Sequence, residues 1–138
     1  MAENIILEVV TPEKEVVNEA VQIVMAPGSL GEFGVLSGHT PFMTSLNTGG
    51  IHYRDENGKD QYVFVSGGFA EALPDKVTVL AESAEKMEDI DPDRAKEAMA
   101  RAEKRLAEDR AKEQVDIARA KAALERAVMR IRIAGIGS

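Results

Sequence analysis

The sequence predicts an α+β chain of two domains. An N-terminal antiparallel β-sandwich covers residues 1–84, and a C-terminal antiparallel α-helical hairpin, able to extend, covers residues 85–138. Three observations predict this division. Nine of the eleven glycines and all six aromatic residues precede Ala70, and no glycine lies between Phe69 and Ala134. Charge divides at the same place: residues 1–84 carry four basic against twelve acidic residues, whereas residues 85–138 carry thirteen against twelve. The apolar period also changes, from two in the first part to the helical period in the second.

Ile5, Leu7 and Val9 alternate with polar neighbours, and so do Val21, Ile23 and Met25, the pattern of half-buried strands. The stretch IHYRDENGKDQYVFVSGGF reads as a hairpin, with Asn57-Gly58 supplying the positive φ angles of its turn. A second turn at Leu73-Pro74-Asp75-Lys76 leads into Val77 and Val79. Short strands at this spacing make an antiparallel sandwich or flattened barrel.

Beyond Ala84 the signals are helical. Asp91 has the chemistry of an N-cap, Pro92 follows where its missing N–H is harmless, and Asp93 suits the positive end of the helix dipole. Ala95, Ala98, Met99, Ala102 and Leu106 form one stripe. Ile117, Ala120, Leu124, Ala127, Val128 and Ile131 form a second, with a stop expected near Gly135. Between them AEDRAKEQVD is polar enough for a turn, and Asp116 can cap a second helix. It holds neither glycine nor proline, so a folded hairpin and one long rod both remain open. A seam rich in alanine favours such an ambiguity, because each buried methyl contributes less than about 1 kcal/mol.

Composition removes several function classes. With no cysteine there is no disulfide framework, thiol nucleophile or cysteine–zinc site. A net charge of −7 argues against nucleic acid as the main ligand. No apolar run approaches the roughly 20 residues that span a bilayer, so membrane contact is expected only through partners. His39 and His52, the only histidines, are too few for a histidine metal site, and His39 reads as a turn or interface residue. The glycine-rich GSLGEFGVLSGH lacks the lysine and following helix of a phosphate loop and reads as turns and bulges between strands. No nucleophile stands with a base. No catalytic residue, metal site or required cofactor is therefore assigned.

The arginines carry more information. Arg94, Arg101 and Arg105 share one helical face, and Arg119, Arg126 and Arg130 repeat the spacing on the second helix. Pairs such as Glu97–Arg101 explain part of the first set as a solvated face. From Arg119 to Arg132, however, five basic residues meet one acid, Glu125. If the helices fold back, arginines from both converge, and such a cluster needs an anion or an acidic partner.

Taken together, GEFGVLSGHTP, SGGFAEALPDKVTVLAESAE and the final ALERAVMRI resemble the epsilon-subunit family of bacterial rotary ATP synthases over nearly the whole length. The resemblance implies a central-stalk subunit of a proton-translocating synthase, peripheral on the cytoplasmic side of the cell inner membrane. Its sandwich would meet the gamma subunit and the ring of proton-carrying subunits, with Gly31, Glu32, Phe33 and His39 among the contacting residues. Its helices would lie folded or extend beside gamma toward the catalytic alpha and beta subunits and suppress ATP hydrolysis. Arg119, Arg126 and Arg130 would then face an acidic segment of beta.

In some members the folded hairpin binds ATP through Ile or Leu, Asp, two free positions, Arg and Ala. EDIDPDRA, residues 88–95, supplies Ile90, Asp91, Arg94 and Ala95. The family's supporting residues fall on Glu85, Arg101, Arg126 and Arg130, so ATP is implied as a regulatory ligand. The helix start is expected to offer it free N–H groups. A free-standing nucleotide sensor and a purely structural stalk adaptor are the alternative readings.

Overall fold

The computed structural model describes residues 3–108 and 114–137. The chain forms two compact units, Met1–Met87 and Glu88–Ser138.

The first unit is built of β1 (Ile5–Val10), β2 (Glu15–Gly28), β3 (Gly31–Val35), β4 (Phe42–Ser45), β5 (Gly49–Asp55), β6 (Asp60–Ser66), β7 (Phe69–Leu73), β8 (Lys76–Leu80) and β9 (Ser83–Lys86). They bond in the order β4-β7-β8-β1-β2-β5-β6-β9, with β3 added on β2. Strand β2 is the hinge of this arrangement. Its first half pairs with β1, and its second half with β5 and β3. All pairs are antiparallel except β1 with β8, which is parallel. The unit ends at Met87 rather than at residue 84 because β9 is hydrogen-bonded to β6.

The inward residues of β1, Ile5, Leu7 and Val9, are fully buried as their alternation requires. Each such side chain contributes roughly 1.5–3 kcal/mol by leaving water. In β2 the expected phase fails. The structure buries Val21, Val24 and Ala26, while Ile23 and Met25 are only half-buried. The pairing with β5 shifts register between Val21 and Ile23, and the extra residue moves the inward face by one position. Strand β6 shows neither phase, because Val63, Phe64 and Val65 are all buried.

The β5–β6 hairpin forms, but only Gly58 adopts a positive φ (81°), with none at Asn57. Gly58 N–H donates to the Asp55 carbonyl (3.0 Å), and Asp55 N–H to the Lys59 carbonyl (2.9 Å). The turn is therefore three residues long, with Gly58 as its left-handed end, rather than a two-residue turn. The Asp55 carboxylate fixes it. Its Oδ1 accepts from the N–H groups of Asn57 and Lys59, both at 2.9 Å, and its Oδ2 from the Gln61 amide at 3.2 Å.

The N–H of Lys59, helped by Gln61 and Asn57, holds the Asp55 carboxyl below the ordinary carboxylate range. A depressed carboxyl stabilises the fold above its unfolded pKa, and that stability disappears as pH falls through the folded value. Thermal melts of wild type and Asp55→Asn should therefore differ at neutral pH and converge below about pH 4. A difference that stays constant with pH would refute this assignment.

The second unit holds α1 (Pro92–Ala107) and α2 (Gln114–Ile136). The two helices pack along one another, and the connection is short, so they run antiparallel: the hairpin, not the rod, is the observed form. Residues 109–113 of the expected connection lie outside the described residues. Helix α2 begins at Gln114, which puts Asp116 in its first turn rather than at the cap, and it continues one residue past Gly135. The buried residues of the seam include Ala95 and Ala102 on α1 and Ala120 and Ala127 on α2, seven apart in each helix. Leu124 and Val128, expected on this stripe, are half-buried and line a groove of about 390 Å³ along α2, with Lys121 and Arg132 beside them.

Candidate nucleotide site and docking surface

Seven of the eight residues assigned to ATP lie in the helical unit, and Glu85 lies on β9 in the sandwich unit. Asp91 is the N-cap of α1, with φ −90° and ψ 105°. Its Oδ1 accepts from the N–H groups of Asp93 and Arg94, each at 3.1 Å, and its carbonyl accepts from Ala95 N–H at 3.1 Å. Pro92 has no N–H to give. The expected free N–H groups are therefore absent, because the cap already uses every donor of the first turn. An anion at this end must be held by side chains.

Those side chains are positioned by the alanine seam. Ile90 and Ala95 are buried, and Arg94 is exposed. Arg94, Arg101, Arg119 and Arg126 each precede a buried alanine by one residue: Ala95, Ala102, Ala120 and Ala127. One residue is about 100° of helix rotation, so each arginine borders the seam. In an antiparallel pair the two-fold relation puts such positions of both helices on the same side of the hairpin. Arginines from α1 and α2 thus share one side. Arg130 stands one turn beyond Arg126 and is half-buried. Among the described residues Arg94, Arg101 and Arg126 have no ion-pair partner. The i,i+4 pair that forms on α1 is Lys104–Glu108 (3.8 Å), not the expected Glu97–Arg101.

The residues assigned to partner contacts are split. Gly31 opens β3 with φ 130° and Glu32 beside it is exposed. Phe33 meets Phe42 edge-on at 5.0 Å, and His39 meets the same ring at 5.0 Å, so Phe33 and His39 join one aromatic cluster. The His39 Nδ1 lies against the Thr40 carbonyl, which requires Nδ1 to carry the proton. His52 stacks on Tyr62 at 4.5 Å, with its Nε2 3.3 Å from Asp60.

One surface escaped the sequence reading. An open groove of about 700 Å³ is lined by Val10, Pro12, Leu46, Phe69 and Leu80, with Glu82 among its polar residues. Phe69 is 58% and Leu80 57% exposed, and they are cross-strand partners. Met43, at 66%, and Leu30, at 98% on the β2–β3 tip, are also exposed. The tip joins the same end of the sandwich through Ser29 N–H to the Ser45 carbonyl, and Leu46 N–H bonds the Gly68 carbonyl. A signal existed: Phe69 and Leu80 occupy the outward phase of strands whose inward phase is Ala70, Ala72, Val77 and Val79. Apolar residues on both phases of adjacent strands mark a face that something covers.

Comparison with known proteins adds the family. The beta-sandwich domain of the ATP synthase delta/epsilon chain matches residues 4–87, and its long alpha-helix domain matches residues 88–135. The ATP synthase epsilon chain of Desulfosudis oleivorans is 66% identical over 106 residues, 77% of this chain and 80% of the relative. That of Desulforapulum autotrophicum is 64% identical over 108 residues, 78% of this chain and 80% of the relative. Among solved structures, a chain of the Euglena gracilis mitochondrial ATP synthase (OSCP/F1/c-ring, rotational state 1) has the same fold. Its TM-score is 0.80 at 24% identity, over 99% of this chain and 83% of that one. Among the described residues no helix is long and apolar enough to cross a membrane. With both of its domains matched in order, the chain belongs to the ATP synthase delta/epsilon chain family.

Proposed function

We propose that this chain works in the central stalk of a proton-translocating ATP synthase, peripheral on the cytoplasmic side of the inner membrane. The sandwich docks on the gamma subunit and the ring subunits through the end that carries Leu30, Met43, Phe69 and Leu80, beside Gly31, Glu32, Phe33 and His39. The helical unit regulates. When α1 and α2 separate, α2 reaches the catalytic alpha and beta subunits and suppresses hydrolysis; ATP bound to the closed hairpin opposes that opening.

The observation that carries this reading is the seam. Helices whose buried residues are mostly alanines separate at low free-energy cost, and arginines from both helices border the joint on one side. Exposed Arg94 and Arg101 and half-buried Arg126, without ion-pair partners among the described residues, are available to phosphate in one state and to an acidic protein surface in the other.

The test is ATP hydrolysis by the reconstituted complex. Arg119→Ala, Arg126→Ala and Arg130→Ala together should raise hydrolysis several-fold at low ionic strength without loss of assembly. The gain should shrink as salt screens the wild-type contact, whose range is about 10 Å at 0.1 M. Unchanged hydrolysis at low salt would remove the inhibitory role from α2.

A further inference from the structure

We propose that Asn57–Gly58 is a latent deamidation site that Asp55 holds closed. This inference is independent of the stalk reading. The reaction needs no enzyme and no oxidant. The Gly58 amide nitrogen attacks the Asn57 side-chain carbonyl carbon and a five-membered succinimide forms. The attacking nitrogen's proton leaves with the side-chain nitrogen as ammonia. Water then opens the ring at either carbonyl, leaving aspartate or isoaspartate.

Two features make this pair the place for it. Asn57 and Gly58 are both exposed at the tip of the β5–β6 hairpin. Residue 58 has no side chain, and even a Cβ there would meet nothing within 4 Å, so no side chain crowds the attacking residue. What keeps the ring from closing is the bonding of the turn. The attacking nitrogen gives its proton to the Asp55 carbonyl (3.0 Å). The amides on either side of it, of Asn57 and Lys59, are both held by Asp55 Oδ1 at 2.9 Å. The succinimide needs a backbone rotation at Asn57 that breaks these bonds together, so reaction requires local opening of the turn.

Closure by Asp55 matters because of what the product would do. A new carboxylate would stand among Asp55, Glu56 and Asp60, and the isoaspartyl form adds a backbone carbon to a hairpin whose register is set by its turn length. From Val63 to Ser66 strand β6 is buried on both faces, so that part has no slack to absorb the shift.

The full chain is incubated in mildly alkaline buffer, and deamidation at residue 57 is followed by peptide mass mapping, with Asn57→Gln as the control for position. Folded wild type should react at least about tenfold more slowly than the same chain in urea. Asp55→Ala should react about tenfold faster than wild type, the effect expected for losing two hydrogen bonds that hold the turn. Should circular dichroism show that Asp55→Ala does not fold, Asp55→Asn, which keeps one side-chain oxygen, must give a rate between the two. Equal rates for folded and urea-unfolded wild type overturn the proposal. So does an Asp55 variant that folds and reacts no faster than wild type.

Discussion

Gly68→Ala should unfold the sandwich at temperatures where wild type is stable, a loss of more than about 4 kcal/mol. A Cβ at position 68 would lie 2.0 Å from the Leu80 carbonyl oxygen and 2.8 Å from the Ala81 Cα. Both are backbone atoms, at the end of β8 and the residue after it, and neither can rotate away. The backbone at Gly68 also has φ 99°, which L side chains rarely adopt. Its neighbour provides the internal control. At Gly67 the nearest atoms are the carboxylate of Glu82, 3.0–3.3 Å away, the free end of a flexible side chain. Gly67→Ala then carries mainly the left-handed penalty of φ 64°, about 1–2 kcal/mol. Urea unfolding of both variants separates the two causes. Equal destabilisation would mean that the clash with Leu80 is relieved elsewhere.

Arg126→Ala is expected to weaken ATP binding by the isolated chain by about tenfold to a hundredfold, the effect of losing a charge-assisted hydrogen bond. The N-cap geometry makes the expected effect large. Asp91 has already taken the first-turn N–H groups of α1, so the helix end supplies a phosphate with little beyond its dipole. Recognition of a bound ATP would then depend on arginine side chains, and Arg126 borders the seam from α2 on the side where Arg94 and Arg101 border it from α1. Asp91→Ala is the poorer probe, because it removes a cap worth about 1 kcal/mol and frees two N–H donors at once. Calorimetric titration at ATP concentrations up to millimolar reads the difference. No heat with wild type, or equal affinity in the variant, would leave EDIDPDRA as a helix cap alone.

The features legible in the sequence were those decided locally. Gly58 and Pro74-Asp75 announce turns because few residues tolerate those backbone angles, and Asp91-Pro92 announces a helix start for a similar reason. The change of apolar period separated strands from helices without any long-range information. What the sequence hid was set between distant segments. The register shift of β2 falls near Gln22, with neither glycine nor proline to mark it, and it turned Ile23 and Met25 away from the core. The parallel pairing of β1 with β8 joins the first strand to one about seventy residues later, and no local signal encodes it. At the candidate nucleotide site the residue types were legible but their availability was not. Asp91 reads equally as a ligand and as a cap, and only the geometry reveals that its cap bonds use the donors a phosphate would need.

Strand β2 gives the sandwich a mechanical property. In many sandwiches two sheets touch only through side chains, and a twisting load makes one slide over the other. Here β1 and β5 are both laced to a single fourteen-residue backbone, so a torque entering through one layer reaches the other along covalent bonds. To shear them apart, several hydrogen bonds must break at once rather than in succession. In the chain the helices come later. They follow β9, the last strand in the order, which is bonded only to β6. The sandwich can thus stay stiff in torsion whatever shape the helices take.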